Sequence, residues 1–424
     1  AAGGTAADAL VAVQTMLGLV EPQSSGLGGG AFLVWYDAAS GALTTFDGRE
    51  TAPLAATPRL FQDADGEPLK FFDAVVGGRS VGVPGTPALL AEVHARYGNQ
   101  DWAQLLAPAM KLAEDGFPVS PRLAQLVADD AERLASSKIT AAYFMPGGFP
   151  VAAGQTLVNL PYALTLKKLS AEGAGAFYAG DLAKTILATV QGAEANPGVL
   201  SEVDLAIYRV KERPAVCASF RAHDVCGMGP PSSGAIAVGQ MLGMLDGYDL
   251  SAGPEDVNVR RLIGDASRLA FADRGRYVAD SDFVPVPVAG MLDSGYLAER
   301  AKLLAGDDAL PEVTPGAPEF DHALNWADDE AIELPSTSHI SIVDAAGNVA
   351  SMTTTIENGF GSRLMVGGFL LNNELTDFSF RSHKDGVPIA NRVEPGKRPR
   401  SSMSPTIRPG AAGSSGILLR QSLR

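Results

Sequence analysis

The stretch LPSTSHISIVDAAGNVASMTTTIENGFGS, residues 334–362, constrains this chain more than any other. Two alternating runs, HISIVD and VASMTTTI, flank Ala345-Ala346-Gly347-Asn348, a strong hairpin turn. A turn centred on Ala346-Gly347 sets Thr337 opposite residues 355–357, which brings Thr355 and Glu357 beside it. A threonine hydroxyl is a weak nucleophile, and its usual activators are an adjacent base or its own free α-amine. An α-amine titrates near about 8, so it can act as a general base at working pH. His339, two residues along the same strand, reads as a packed strand residue rather than a triad base. A free amine at Thr337 requires a cut between Ser336 and Thr337, and the polar segment upstream leaves room for one. A threonine-rich run is also simply a good strand former.

The chain has 424 residues, of which 46% are hydrophobic and 19% charged, so it reads as globular. Its formal net charge of −15 repels phosphate backbones and argues against a nucleic-acid partner. No apolar run approaches the roughly 20 residues that span a bilayer. No leader pattern is visible, and the chain opens on Ala1-Ala2-Gly3-Gly4 without methionine, as a processed or truncated chain would. Cys217 and Cys226 fall opposite one another if AVCASFRAHDVCGM turns near Arg221-Ala222. A disulfide and a pair of buried thiols both fit. The five histidines are scattered without metal-ligand spacing, so no metal and no cofactor is expected.

Along the chain, residues 5–20 read as a buried helix, followed by SSGLGGG and two strands, AFLVWYD and ALTTFDGRE. The middle is helical: ALLAEVHARYG, WAQLLAPAMKLAEDG, LAQLVADDAERLAS, LAKTILATVQGA and VRRLIGDASRLAFADRGRYVAD carry apolar residues at helical spacing. In PPSSGAIAVGQMLGMLDG the serine pair suits a helix cap. Residues 305–335 read as a polar linker, and strand patterning then returns in HISIVD, VASMTTTI and GGFLLNN. Helices between two groups of strands point to an α+β architecture in one compact domain.

GLGGGA, residues 26–31, loosely imitates a dinucleotide fingerprint, but that motif runs strand, loop, helix, and here a helix precedes and a strand follows. Close backbone approach is the better explanation. Glu374 and Asp377 place two carboxylates three residues apart. Arg49 offers a planar fork suited to a carboxylate, and acids suit an ammonium, so together they could read an α-amino acid head group. The run Lys397-Arg398-Pro399-Arg400, taken alone, reads as a solvated loop.

Taken in order, EPQSSGLGGGAFLVWYD, FDGRETAP, VGVPGTPALLAEVHARYG, PPSSGAIAVGQMLGMLDG, SRLAFADRGRYVAD, TSHISIVDAAGNVASMTTTI, LLNNELTDF and KRPRSSMSPT resemble the γ-glutamyltranspeptidase family of N-terminal nucleophile hydrolases over nearly the whole chain. The resemblance implies a four-layer α-β-β-α sandwich. It implies self-cleavage into a large piece, residues 1–336, and a small piece, residues 337–424, that stay associated. It implies that Thr337 is the nucleophile and that Thr355 positions it. Arg49, Ser401 and Ser402 would bind the donor's α-carboxylate, and Glu374 and Asp377 its α-ammonium. The small-molecule γ-glutamyl donor, glutathione-like, would pass its acyl group to water, an amino acid or a peptide. Family habit implies a periplasmic or secreted location.

Three departures from the family pattern stand out. Glu357 replaces an asparagine and would add a third acid to the head-group site. Residues 379–396 are too short for a long lid loop. After Thr406 the chain reads IRPGAAGSSGILLRQSLR, without the GSPGG-type segment that supplies the family's oxyanion hole, as expected of a C-terminally truncated small piece. The alternatives to a γ-glutamyl transferase and hydrolase are a cephalosporin acylase-like glutaryl amidase and a non-catalytic member.

Overall fold

The computed structural model describes residues 3–194, 196–322, 325–329, 331, 336–409 and the backbone of 418–420. Strands Gly30–Tyr36 (β1), Leu43–Gly48 (β2), Lys211–Arg213 (β3), Val216–Phe220 (β4), His223–Gly227 (β5), Thr337–Val343 (β6), Val349–Thr355 (β7), Thr406–Arg408 (β8) and Leu418–Arg420 (β9) build two antiparallel sheets. Their orders are β3-β2-β1-β7-β6 and β9-β8-β5-β4. The first sheet joins strands from both ends of the sequence, so residues on either side of the Ser336–Thr337 bond belong to one sheet.

Alternation along β1 divides its side chains between two layers. Ala31, Leu33 and Trp35 enter the largest core with Leu10 and Val11 of the helix Ala6–Val20 (α1). Phe32 meets Met228 and Met403, and Val34 meets Val349 and Ile407, between the two sheets. The far side of the second sheet is covered by helix Gly234–Leu245 (α2), where Gly239 lies so close to Ala218 of β4 that a Cβ would stand 2.8 Å from its methyl carbon. Helix Val257–Tyr277 (α3) packs against α2 through Leu262, Ala266 and Leu269. The result is helix, sheet, sheet, helix, the α-β-β-α sandwich that the resemblance implies.

Most expected elements form. Thr5 caps α1 with a reciprocal capping box to Asp8. Arg221 and Ala222 take φ values of 47° and 64°, the left-handed pair a two-residue hairpin needs, and Cys217 and Cys226 face each other and are joined as a disulfide.

Four expectations change. The helix read through residues 123–136 breaks at Asp130, whose carboxylate turns to Arg133 and Arg363. GGFLLNN contributes only Phe369–Leu370 as strand. The serine pair before α2 does not cap it through Ser233, whose hydroxyl donates to the Ser401 carbonyl instead. The basic run is not solvated: Lys397, Arg398 and Arg400 are all buried, each held by backbone carbonyls or acids. Among the described residues no helix is long and apolar enough to cross a membrane.

Candidate active site

The hairpin β6–β7 forms in the expected register, with Thr337 paired to Thr355. Asp344 closes its turn by accepting from the amides of Ala346 and Asn348, and Gly347 supplies the positive φ of 87°. Side chains two residues apart share a strand face. Thr337, His339 and Ser341 therefore line up with Thr355, Thr353 and Ser351, on the side of the sheet that turns Phe32 and Val34 toward the second sheet. Thr337 stands at the end of this inter-sheet layer and is half-buried.

Thr355 is the hub. Its hydroxyl donates to the Ser336 carbonyl at 2.9 Å, accepts from the Glu357 amide at 2.8 Å, and lies 3.5 Å from Thr337 Oγ1. The Ser336 hydroxyl donates to the Gln23 carbonyl. The bond between Ser336 and Thr337 is thus held between two hydroxyl contacts. His339 contacts Thr353 and Ser341 through its two ring nitrogens, and burial lowers its pKa. It belongs to the strand, as its sequence position indicates.

The glycine loop earns its composition by close approach. A Cβ on Gly28 would stand 2.1 Å from the Leu370 carbonyl oxygen, and one on Gly29 would stand 1.9 Å from that of Thr355. Larger residues here would push Leu370 and Thr355 away.

The second half of the site surrounds Arg49, which is fully buried. Its guanidinium donates to Glu374, to Asp377 at 2.5 Å, and to the carbonyls of Pro399 at 3.1 Å and Arg400 at 2.9 Å. Burial opposes its charge, but Glu374, Asp377 and Glu50 outweigh that and raise its pKa. The sequence reading leaves the fork open for a ligand and gives both acids to an ammonium; here the acids lie on the fork itself. Asn372 orders this region by donating to the carbonyls of Gly28 and Gly82 and accepting from the Glu374 amide. Asn373 donates to Glu357 Oε2 at 2.5 Å and accepts from the Asn358 amide. Glu357 carries a φ of 74°, a left-handed conformation that asparagine tolerates better than glutamate.

Ser401 and Ser402 follow Arg400 directly. Ser233 donates its amide to the Ser401 carbonyl at 2.8 Å, and Ser401 donates its own amide to Pro231. The Ser402 hydroxyl accepts from Arg274 at 2.8 Å. The structure therefore brings together Thr337, Thr355 and Glu357 on one side, and Arg49, Glu374, Asp377 and the Ser401-Ser402 backbone on the other, with Asn373 joining the two.

Comparison with known proteins settles the family. The γ-glutamyltranspeptidase model matches residues 1–413. The chain belongs to the γ-glutamyltranspeptidase family. It is 39% identical to the glutathione hydrolase proenzyme of Bacillus subtilis strain 168 over 419 residues, spanning 96% of this chain and 69% of that protein. Its fold superimposes on cephalosporin acylase from Bacillus halodurans with a TM-score of 0.81 at 28% identity, over 96% of this chain and 71% of the other. Helicobacter pylori γ-glutamyltranspeptidase gives 0.71 at 34% identity, over 74% and 90%. The family is one of enzymes whose relatives carry both glutathione hydrolase and acylase names.

Sequence reading missed several members of the site. Asn373, Arg274 and the Ser232-Ser233 pair each carry a contact that holds a site residue. The pair's signal was present in PPSSG, but it pointed to a helix cap rather than to Ser401. Segment 379–396 contains a small hairpin, His383–Lys384 with Val387–Pro388. Its residues border a cavity of 510 Å³ with Leu69, Phe71, Ser379 and Phe380, and Thr337 is not among the residues that line it. The stretch after Thr406, read as lacking the GSPGG-type segment, includes residues 410–417, which lie outside the described ones.

Proposed function

We propose that this protein is a γ-glutamyl transferase and hydrolase, matured by a cut between Ser336 and Thr337 that makes Thr337 its nucleophile. The observation that carries the reading is the Thr355 hydroxyl, which reaches both the Ser336 carbonyl and Thr337. In self-cleavage, Thr337 Oγ1 attacks the Ser336 carbonyl carbon while Thr355 stabilises the developing negative oxygen. The C–N bond breaks, the acyl group passes to Thr337 Oγ1 and the nitrogen takes a proton. Water then cleaves the ester and leaves a free α-amine on Thr337. That amine takes the Oγ1 proton when Thr337 attacks a γ-glutamyl amide, and returns it to the leaving amine. Water or an acceptor amine releases the acyl group from the acyl-enzyme.

In this reading the donor's α-carboxylate competes for Arg49, helped by Ser401 and Ser402. Its ammonium draws Glu374, Asp377 and Glu357 toward itself. The Arg49 ion pairs stand in for those ligand contacts before the donor arrives.

The second reading, a glutaryl-type amidase, is supported by the likeness to the Bacillus halodurans acylase. Three acids around the head-group site favour a substrate that carries an ammonium, which a glutaryl chain lacks. Turnover of γ-glutamyl and glutaryl anilides by the processed protein separates the two. The first reading expects preference for γ-glutamyl, and preference for glutaryl sinks it.

A further inference from the structure

Glu50 follows Arg49 and has no part in the chemistry above. It is fully buried, and neither carboxyl oxygen has a hydrogen-bond partner among the described residues. Its carboxyl group fills the space a side chain would take at Gly30, where a Cβ would stand 2.4 Å from Oε2. Gly30 pairs with Thr355, and Thr355 with Thr337. Paired residues on antiparallel strands share a face. Glu50, Thr355 and Thr337 therefore form a row across the inter-sheet face. On its other side Glu50 Oε2 stands 3.9 Å from the Arg49 nitrogen that Glu374 holds.

Three buried carboxyl groups thus converge on the Arg49 guanidinium. Glu374 and Asp377 touch it, whereas Glu50 does not. A buried carboxylate without hydrogen bonds is costly, and the group takes up a proton instead. Burial pushes Glu50 well above the usual carboxylate range, Glu374 adds to the shift and Arg49 opposes it. The hydroxyls of Tyr178 and Tyr208, which also face this region, donate elsewhere, to the carbonyls of Pro84 and Arg49. Asp47 is engaged by Arg213.

We propose that Glu50 is a protonated carboxylic acid in the unliganded site, and that its neutrality lets Arg49 accept a substrate carboxylate. It is a positioning residue that acts through Arg49. Ionised, it would add a second surplus negative charge beside the guanidinium and repel the incoming carboxylate. The proposal rests on the γ-glutamyl reading for its ligand, an α-amino acid head group.

The test pairs infrared spectroscopy with calorimetry on the processed protein and on Glu50→Gln. At about pH 7, wild type should show a protonated-carboxyl stretch that the variant lacks. Glu50→Gln, a permanently neutral analogue, should bind L-glutamate within about threefold of wild type. Where the band titrates away with rising pH, wild-type affinity should fall below that of the variant. Absence of the band in wild type overturns the proposal. So does a tenfold or greater loss of affinity in Glu50→Gln at about pH 7, because an ionised Glu50 would then be holding Arg49. If Glu50→Gln does not accumulate, wild type labelled with ¹³C at its glutamate carboxyls decides alone, since the band must shift with the label. Failure of the γ-glutamyl reading looks different: L-glutamate binds to neither protein, and glutarate takes its place as the carboxylate probe in the same comparison.

Discussion

Thr355 stands directly across the hairpin from Thr337 and donates its hydroxyl to the carbonyl of the residue before it, Ser336, at 2.9 Å. One side chain therefore touches both the bond proposed to be cut and the group proposed to cut it. Thr355→Ala should slow self-cleavage by about 100- to 1000-fold, the usual cost of losing one oxyanion donor. Thr355→Ser keeps the hydroxyl and should process far faster than the alanine variant. A time course of fragment appearance on a denaturing gel measures both. Wild-type cleavage by Thr355→Ala would remove Thr355 from the mechanism.

Glu357 sits at φ 74° and reaches Asn373 through its carboxylate. A left-handed conformation costs a non-glycine residue about 1–2 kcal/mol, less for asparagine. Glu357→Asn should hold or raise the melting temperature, yet raise KM for a γ-glutamyl anilide about tenfold, since an amide replaces a charged partner of the ammonium. Glu357→Val should lower the melting temperature. An asparagine variant with unchanged KM would show that Glu357 faces no substrate.

Burial lowers the pKa of His339, so the folded state favours its neutral form. The unfolded chain binds a proton more readily, near about pH 6.5. The stability contributed by neutral His339 is present above that pH and is lost as pH falls through the folded pKa. Urea midpoints taken between about pH 7 and 5 should fall more steeply for wild type than for His339→Gln. Parallel curves would contradict this.

The Cys217–Cys226 disulfide staples β4 to β5 in the second sheet. Closing so short a loop should contribute about 2–3 kcal/mol in the chain-entropy account. Replacing both cysteines by serine should lower the urea midpoint accordingly and leave self-cleavage intact, because Thr337 lies in the other sheet. Loss of cleavage in the double variant would show that the second sheet controls the site.

The site hairpin was legible because its turn limits its register: a turn around Ala346-Gly347 puts Thr337 opposite residues 355–357, and the loop between Asp344 and Asn348 selects Thr355. The glycine loop was legible as close approach, although not the atoms it approaches. The buried basic run was not legible. Lys397, Arg398 and Arg400 look like solvated charge until the fold sets Glu394 against Lys397 and brings Asp47 and Asp329 from elsewhere in the chain to the two arginines. Arg49 was assigned to a substrate carboxylate and Glu374 and Asp377 to its ammonium, because a sequence cannot show that the two acids pair with the arginine. Glu50 escaped notice because one acid in FDGRETAP carries no pattern; only burial without a hydrogen bond marks it.

The central claim is that Thr337 becomes a chain terminus and then the nucleophile. Intact-mass analysis of the purified protein, with N-terminal sequencing of any smaller species, tests it most directly. The account predicts two fragments, the smaller beginning at Thr337, and a Thr337→Ala variant that stays in one piece. A wild-type chain that remains uncut on long incubation, or one cut at another bond, would contradict it.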